Sequence, residues 1–186
     1  MKKIPTVLVR DPEDRAHVLG EVMPGCGWVL AGEGVATRKY DGTCVMFDGD
    51  RWWARREVKP GKTAPEEWFQ ADLDETTGKR VGWEPATQSP FAKFHAEALV
   101  NTSASYPPGS TWELCGPKIN GNPERLEHHQ LISHALAEVV DLPAPLTVET
   151  IQNVLRDLGE RGWEGIVWHH PDGRMAKLKY RDLRRR

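Results

Sequence analysis

An α+β fold, built from antiparallel hairpins with helices packed on them, is predicted by three observations. Short strand-like runs are joined by tight turn signals at Asp48-Gly49-Asp50 and Pro171-Asp172-Gly173. Apolar residues recur at helical spacing in three later segments. Proline and glycine clusters separate the two kinds of segment.

Taken in order, Val35 to Lys39 and Thr43 to Phe47 read as strands on either side of a Tyr40-Asp41-Gly42 turn. Arg51 to Glu57 reads as the return strand after Asp48-Gly49-Asp50, a hairpin that is expected to place Arg55 near Lys39; Pro60-Gly61 breaks that strand. Gly78 to Pro90 is rich in turn formers and reads as loop. Ser89-Pro90 then resembles a helix cap followed by proline in the first turn, with Phe91, Phe94, Ala98 and Leu99 at helical spacing. Pro107-Pro108-Gly109 leads into a strand over Thr111 to Cys115. Glu124 to Val140 reads as a helix, with Leu126, Ile132, Leu136 and Val139 or Val140 on one side, stopped by Pro143 and Pro145. Thr147 caps the next helix, Glu149 places a favourable negative charge in its first turn, and Ile151, Val154, Leu155 and Leu158 form its apolar face. Gly165 to His169 and Arg174 to Tyr180 flank the last turn as a hairpin. There is no internal repeat or low-complexity segment.

The chain has 186 residues, 39% hydrophobic and 28% charged, which suits one well-packed domain over residues 1–186. No apolar run approaches a membrane span, and no apolar stretch follows Lys2-Lys3, so a cytoplasmic protein without a membrane partner is expected. Three cysteines, Cys26, Cys44 and Cys115, form no C-x-x-C pair; their odd number argues against a disulfide framework, and Cys44 and Cys115 are expected to be buried thiols. The formal net charge of −2 does not advertise nucleic-acid binding, but the distribution is uneven. Lys177, Lys179, Arg181, Arg184, Arg185 and Arg186 face one acid, Asp182, and Arg51, Arg55, Arg56, Lys59 and Lys62 face Glu57. Such clusters either track phosphates or form solvated charged faces.

The chemistry-bearing residues are spread along the chain in a fixed order: Lys39-Tyr40-Asp41-Gly42, then Glu113, then Glu164-Gly165-Ile166-Val167, then Lys177-Leu178-Lys179. Singly each is ordinary; a K-x-D-G is commonly an exposed turn. Jointly they suit attack by an amine on a phosphate. The attacking lysine must be neutral, against an ordinary pKa of about 10.4, and neighbouring cations favour the neutral form. Lys177 and Lys179 are one residue apart, so on a strand they share a face. The same two ammonium groups would offset the charge that develops on phosphate. Glu113 or Glu164 can accept from a ribose or hold hydrated Mg²⁺, which commonly takes one or two carboxylates plus phosphate oxygens.

From about Gly32 to Tyr180 these motifs resemble the covalent nucleotidyltransferases, and most of all a small ATP-dependent RNA ligase. The resemblance implies a ligase adenylation fold: two antiparallel sheets flanked by helices around an ATP cleft. It implies that Lys39 becomes adenylylated, that Asp41 and Gly42 complete its motif, and that Arg55, with Arg56 as the competing assignment, contacts the nucleotide or the end being joined. Glu113 is implied at the ribose, Glu164 at the metal, Val167 beneath the adenine, and Lys177 with Lys179 at the α-phosphate. The implied cofactors are ATP and Mg²⁺, with Mn²⁺ as a substitute, and the implied partner is RNA bearing 5′-phosphate and 3′-hydroxyl ends. The sequence departs from many DNA ligases and capping enzymes in carrying Cys44 two positions after Gly42, where those have arginine. Only seven residues follow Lys179, so a stand-alone catalytic domain without an appended OB-fold or helical domain is expected. A nick-sealing DNA ligase, a GTP-dependent capping guanylyltransferase and a non-catalytic binding module of the same fold are the alternatives.

Trp, Tyr and Phe are absent between Trp112 and Trp163, which leaves His128, His129 or an aliphatic residue to cover the other adenine face. The histidine pairs His128-His129 and His169-His170 lack zinc-site spacing, so no zinc site is expected. Trp52 and Trp53 read as core residues, with stacking on a base as the alternative use. Gly116 to Pro123 is a long polar turn whose Asn120 either touches substrate or merely connects elements; it is not a Walker loop.

Overall fold

Each of the two sheets with a covered face has its own hydrophobic core, and the chain visits one of these cores twice. The structure is a computed structural model that describes residues 3–75 and 77–184. It opens with β1 (Leu8–Arg10), β2 (Val18–Val22), the short helix α1 (Gly27–Leu30) and β3 (Val35–Lys39). The chain then builds β4 (Thr43–Phe47), β5 (Trp52–Val58), β6 (Phe69–Asp74), β7 (Lys79–Pro85), α2 (Ala92–Asn101), β8 (Ser110–Cys115) and β9 (Gln130–Ser133). It ends with α3 (Val148–Glu160), β10 (Gly165–His169) and β11 (Met175–Lys179). Helices and antiparallel sheets together make this an α+β protein. Among the described residues no helix is long and apolar enough to cross a membrane.

Two compact units divide the chain. The first, called here the lysine unit, is Ile4–Tyr40 with the residues from Ala137 onward; the second, the large-sheet unit, is Asp41–Leu136 with Lys3.

In the lysine unit the sheet order is β11-β10-β3, all antiparallel, beside the β1–β2 ribbon. Alternation along the strands sends Ala36, Ile166, Trp168, Ala176 and Leu178 to one face, where they meet Ile151, Leu155 and Leu158 of α3. Burying each of these large side chains contributes about 1.5–3 kcal/mol. α3 starts where the sequence predicts. The Thr147 hydroxyl accepts from the Thr150 amide, and the Thr150 hydroxyl accepts from the Thr147 amide, a reciprocal cap. Both outer strands are continued by loop backbone: Val7 donates to the Lys177 carbonyl, and Arg38 donates to the Glu138 carbonyl. A cavity of about 540 Å³ lies at the Val35 end of β3, lined by Leu30, Val140, Leu142 and Trp168 among others, and by none of the lysines.

In the large-sheet unit the order is β6-β7-β5-β4-β8-β9. Val45, Ala54, Trp112, Leu114 and Leu131 pack on one face against Ala98 of α2, with Trp52, Phe91 and Phe94 at the margin. Trp53 is buried as well, so both tryptophans of that pair serve packing. Cys115 is buried, whereas Cys44 is only half-buried; all three thiols are free of disulfides.

Three expectations are corrected. Glu124 to Val140 is not a helix: turns lead into β9, then one 3₁₀ turn at His134–Leu136. Asn122 and Arg125 have φ of 60° and 54°, which a right-handed helix cannot use, and the Asn122 side chain bonds both the amide and the carbonyl of Leu126. The apolar residues that imitate helical spacing are instead divided between the edge strand, which pairs with β8, and exposed positions such as Leu136 and Val139. Gly78 to Pro90 is not a loop either, because β7 occupies Lys79–Pro85 and pairs with both β5 and β6. Its Val81 and Trp83 are good strand formers hidden among turn-forming neighbours. Finally, Cys44 is not fully buried, for the reason given below.

Candidate functional site

The face of β3-β10-β11 opposite the core is where the lysines stand. Cross-strand register puts Lys39, Gly165 and Lys179 in one row, and Thr37, Val167 and Lys177 in the next. Gly165 is required there by close approach. A Cβ on it would lie 2.2 Å from the Leu178 carbonyl oxygen and 2.8 Å from the Lys179 Cα. Leaving that position without a side chain keeps Lys39 and Lys179 in adjoining places. Glu164, one residue before β10, is 6% exposed at its side chain and reaches both of them.

Lys39 Nζ donates to Glu164 Oε2 at 2.5 Å, and Lys179 Nζ donates to Glu164 Oε1. Burial pushes the Glu164 carboxyl up, but the Lys39 and Lys179 ammonium groups outweigh it and hold the group below its ordinary range. Arg181, mostly exposed, stands 4.0 Å from Oε1. Among the described residues Lys177 has no carboxylate partner at ion-pair distance. Burial, with the Lys179 and Lys39 charges beside it, pulls its amine down to about 8. Lys39 is the ion-pair partner of a carboxylate, and burial with like charge loosens the proton on Lys177.

Val167 is 8% exposed, lies between Thr37 and Lys177 in the second row, and is absent from the apolar core cluster. Thr37 Oγ1 bonds His169 Nε2 at 3.0 Å and donates to the Val167 carbonyl. Arg38, on the opposite face, is held between the rings of Tyr40 and Trp163, 4.6 and 4.5 Å from their centroids.

The remaining predicted residues belong to the large-sheet unit. Gly42 needs close approach as much as Gly165 does: a Cβ there would lie 2.3 Å from the Leu114 carbonyl oxygen and 2.8 Å from Glu113 Cγ. The Gly42 amide donates to Glu113 Oε1 at 3.1 Å. Glu113 Oε2 faces His134 Nε2 at 2.9 Å, and His134 Nδ1 stands 2.9 Å from Thr111 Oγ1. Cys44 is directly opposite Glu113 across the strand pair, so it faces this polar network rather than the core. Asp41 accepts from Asn120 Nδ2 at 2.9 Å, and its own amide donates to Glu124 Oε1. Arg55 lies on β5 with its guanidinium 5.3 Å over the Trp83 ring; burial lowers its pKa, while Cys44 and Asp72 act in the other direction. Arg56, the competing assignment, is 3.9 Å from the buried Glu84.

Of the basic clusters, Arg51 pairs with Glu67, and Arg184 pairs with Asp11 and Asp14. Lys2, Arg185 and Arg186 lie outside the described residues. His129 is buried and stacks on Phe94, with ring centroids 4.7 Å apart, whereas His128 is exposed. Sequence reasoning missed His134 and Glu124 because both fell inside the false helix. The Asn122 and Gly121 turn signals were the available warning.

Magnesium was expected at Glu164. No group of three or more metal-ligating side chains gathers at Glu164 among the described residues. A single carboxylate among three lysines suits a hard ion only if phosphate oxygens and water complete its shell, which is an ordinary arrangement for Mg²⁺ on a nucleotide.

A family model described as RNA ligase 1 matches residues 102–185, somewhat under half of the chain. That span contains Glu113, Glu164, Val167, Lys177 and Lys179, and it relates this part of the chain to an RNA ligase family. A search of curated proteins found no match.

Proposed function

We propose that the chain is an ATP-dependent RNA ligase that joins 5′-phosphate and 3′-hydroxyl ends through a lysyl-AMP intermediate, on a nucleotidyltransferase (ligase adenylation) fold. One observation carries the reading: Lys39, Lys179, Lys177 and Glu164, from three separate stretches of sequence, converge on one open sheet face. The RNA ligase 1 match supports RNA over DNA as the substrate.

Two partly buried ammonium groups share one carboxylate and a third stands beside them, so the face attracts a polyanion. Lys177 and Lys179 bind the α-phosphate of ATP and offset the charge that grows on it. As phosphate takes over Lys179, Glu164 is released from one partner. Lys39 passes its proton along its hydrogen bond to Glu164 Oε2 and on to solvent, and its Nζ lone pair forms a bond to the α-phosphorus while the bond to pyrophosphate breaks. Glu164 is the residue that would hold a divalent metal, which would supply charge neutralisation at the phosphates. The AMP then passes to the 5′-phosphate of RNA, and a 3′-hydroxyl displaces it to seal the strand. Val167 offers the adenine an apolar floor; Glu113, Arg55 and Asp41 carry the expected nucleotide contacts in this proposal.

The test supplies purified chain and Mg²⁺ with labelled ATP or GTP and with RNA or DNA carrying 5′-phosphate ends. Sealing of RNA with ATP alone supports the reading. Labelling by GTP alone points to capping, sealing restricted to DNA nicks points to a DNA ligase, and binding without any covalent label points to a non-catalytic module.

A further inference from the structure

The large-sheet unit holds a second constellation, in which Cys44 and His134 have no part in the adenylylation chemistry and Glu113 would take a second role. Cys44 Sγ, a Glu113 carboxylate oxygen and a His134 ring nitrogen all lie within 4.8 Å of one another. Two neighbouring strands supply the first two residues, and the 3₁₀ turn after β9 supplies the third.

The histidine is held as a metal-binding histidine is held. Its Nδ1 faces the Thr111 hydroxyl at 2.9 Å, and that hydroxyl can accept as well as donate. Without metal, Nε2 carries the proton that bonds Glu113 Oε2; when an ion binds, the ring takes the tautomer with its proton on Nδ1, directed at Thr111, and the Nε2 lone pair is turned to the ion with a partner behind the ring. Glu113 is held likewise, with Oε1 on the Gly42 amide and Oε2 aimed at His134.

We propose that Cys44, Glu113 and His134 form a binding site for a borderline transition-metal dication such as Zn²⁺, with its fourth position left to water. Nitrogen and oxygen ligands on tetrahedral Zn²⁺ at about 2.0–2.1 Å stand about 3.3 Å apart. The Glu113–His134 contact of 2.9 Å therefore has to open by only a few tenths of an ångström. A thiolate at about 2.3 Å stands about 3.5 Å from each, within one side-chain adjustment of the present spread. Thiolate and carboxylate together match the charge of the ion, and Arg55 adds one positive charge nearby. A thiolate–imidazole–carboxylate set selects a softer ion than Mg²⁺, so the site is chemically separate from the hard-ion role given to Glu164.

The probe is Co²⁺ alone, titrated into the chelator-treated full chain. Saturation at one ion per chain is expected, with a thiolate-to-cobalt charge-transfer band that Zn²⁺ abolishes and excess Mg²⁺ does not. Cys44→Ser removes the band, His134→Ala removes tight binding, Thr111→Val weakens binding by about 10–100-fold, and Cys26→Ser changes nothing. X-ray absorption of the zinc-loaded wild type should show one sulfur among the ligands, which needs no variant to fold. Absence of saturable binding, a band that survives Cys44→Ser, or a zinc shell without sulfur overturns the proposal. None of these readouts depends on ATP.

Discussion

On the three-stranded sheet, three lysines face one carboxylate; on the six-stranded sheet, Glu113 is satisfied by a backbone amide and a histidine. Both carboxylates are nearly buried, at 6% side-chain exposure for Glu164 and 8% residue exposure for Glu113. They differ in what surrounds them. The Glu164 face carries an excess of positive charge that only a further anion can relieve. The Glu113 face has its hydrogen bonds made already. Burial of polar groups is therefore no guide to function by itself. An uncompensated charge held by a rigid frame is the informative feature, because frame energy must hold it together until ligand arrives.

That contrast can be broken most forcefully at Lys179. Lys179→Ala removes both an anchor for the phosphate and a partner of Glu164, and should cut the rate of ATP-dependent labelling by about 10²–10³-fold, measured by single-turnover kinetics. Glu164→Gln comes next. It leaves Lys39 and Lys179 without their shared counter-ion, and loss of one partner from a buried pair costs about 3–5 kcal/mol. Urea denaturation should show this destabilisation, and ATP should restore part of it.

Lys177 should respond with the opposite sign. Its amine sits near 8 when folded against 10.5 in its ordinary state, so between those values the unfolded chain binds more protons. Stability from this group therefore rises with pH across that window, and the cost of burying the charge is fully present below about pH 8. Lys177→Met should stabilise the chain at neutral pH by roughly 1–3 kcal/mol, after discounting its partial exposure, while weakening ATP binding. In the wild type, KM for ATP should climb as pH passes 8; Lys177→Arg should flatten that climb. A destabilised Lys177→Met would contradict the charge-excess reading of this face.

The smallest effect belongs to the satisfied face. Asn120→Ala removes two hydrogen bonds, to Asp41 Oδ1 and the Gly42 carbonyl, and should cost about 0.5–1.5 kcal/mol by denaturant unfolding. Its effect on labelling should stay well below that of Lys179→Ala.

The lysine face was legible because it is written in local rules. The K-x-D-G turn, the K-x-K alternation and the Pro171-Asp172-Gly173 hairpin each fix side-chain direction within a few residues. The strand boundaries at Val35–Lys39, Thr43–Phe47 and Gly165–His169 follow from the same short-range signals. The other face depends on long-range partners. His134 reaches Glu113 only because Gln130–Ser133 extends the edge of β8, and no spacing within Glu124–Val140 announces that pairing. Apolar residues shared between an edge strand and exposed positions imitated one helical stripe. The two positive-φ residues Asn122 and Arg125 show where the imitation fails. β7 was hidden for a related reason, since Gly82 and Lys79 dilute a strand that Val81 and Trp83 define.

The most direct measurement is to incubate the chain with ATP labelled at the α-phosphate and Mg²⁺, denature it, and map the label by mass spectrometry of its peptides. The account predicts one AMP in phosphoramidate linkage on Lys39, released by acid and absent from Lys39→Ala. Label on another residue, or label retained by Lys39→Ala, would contradict it.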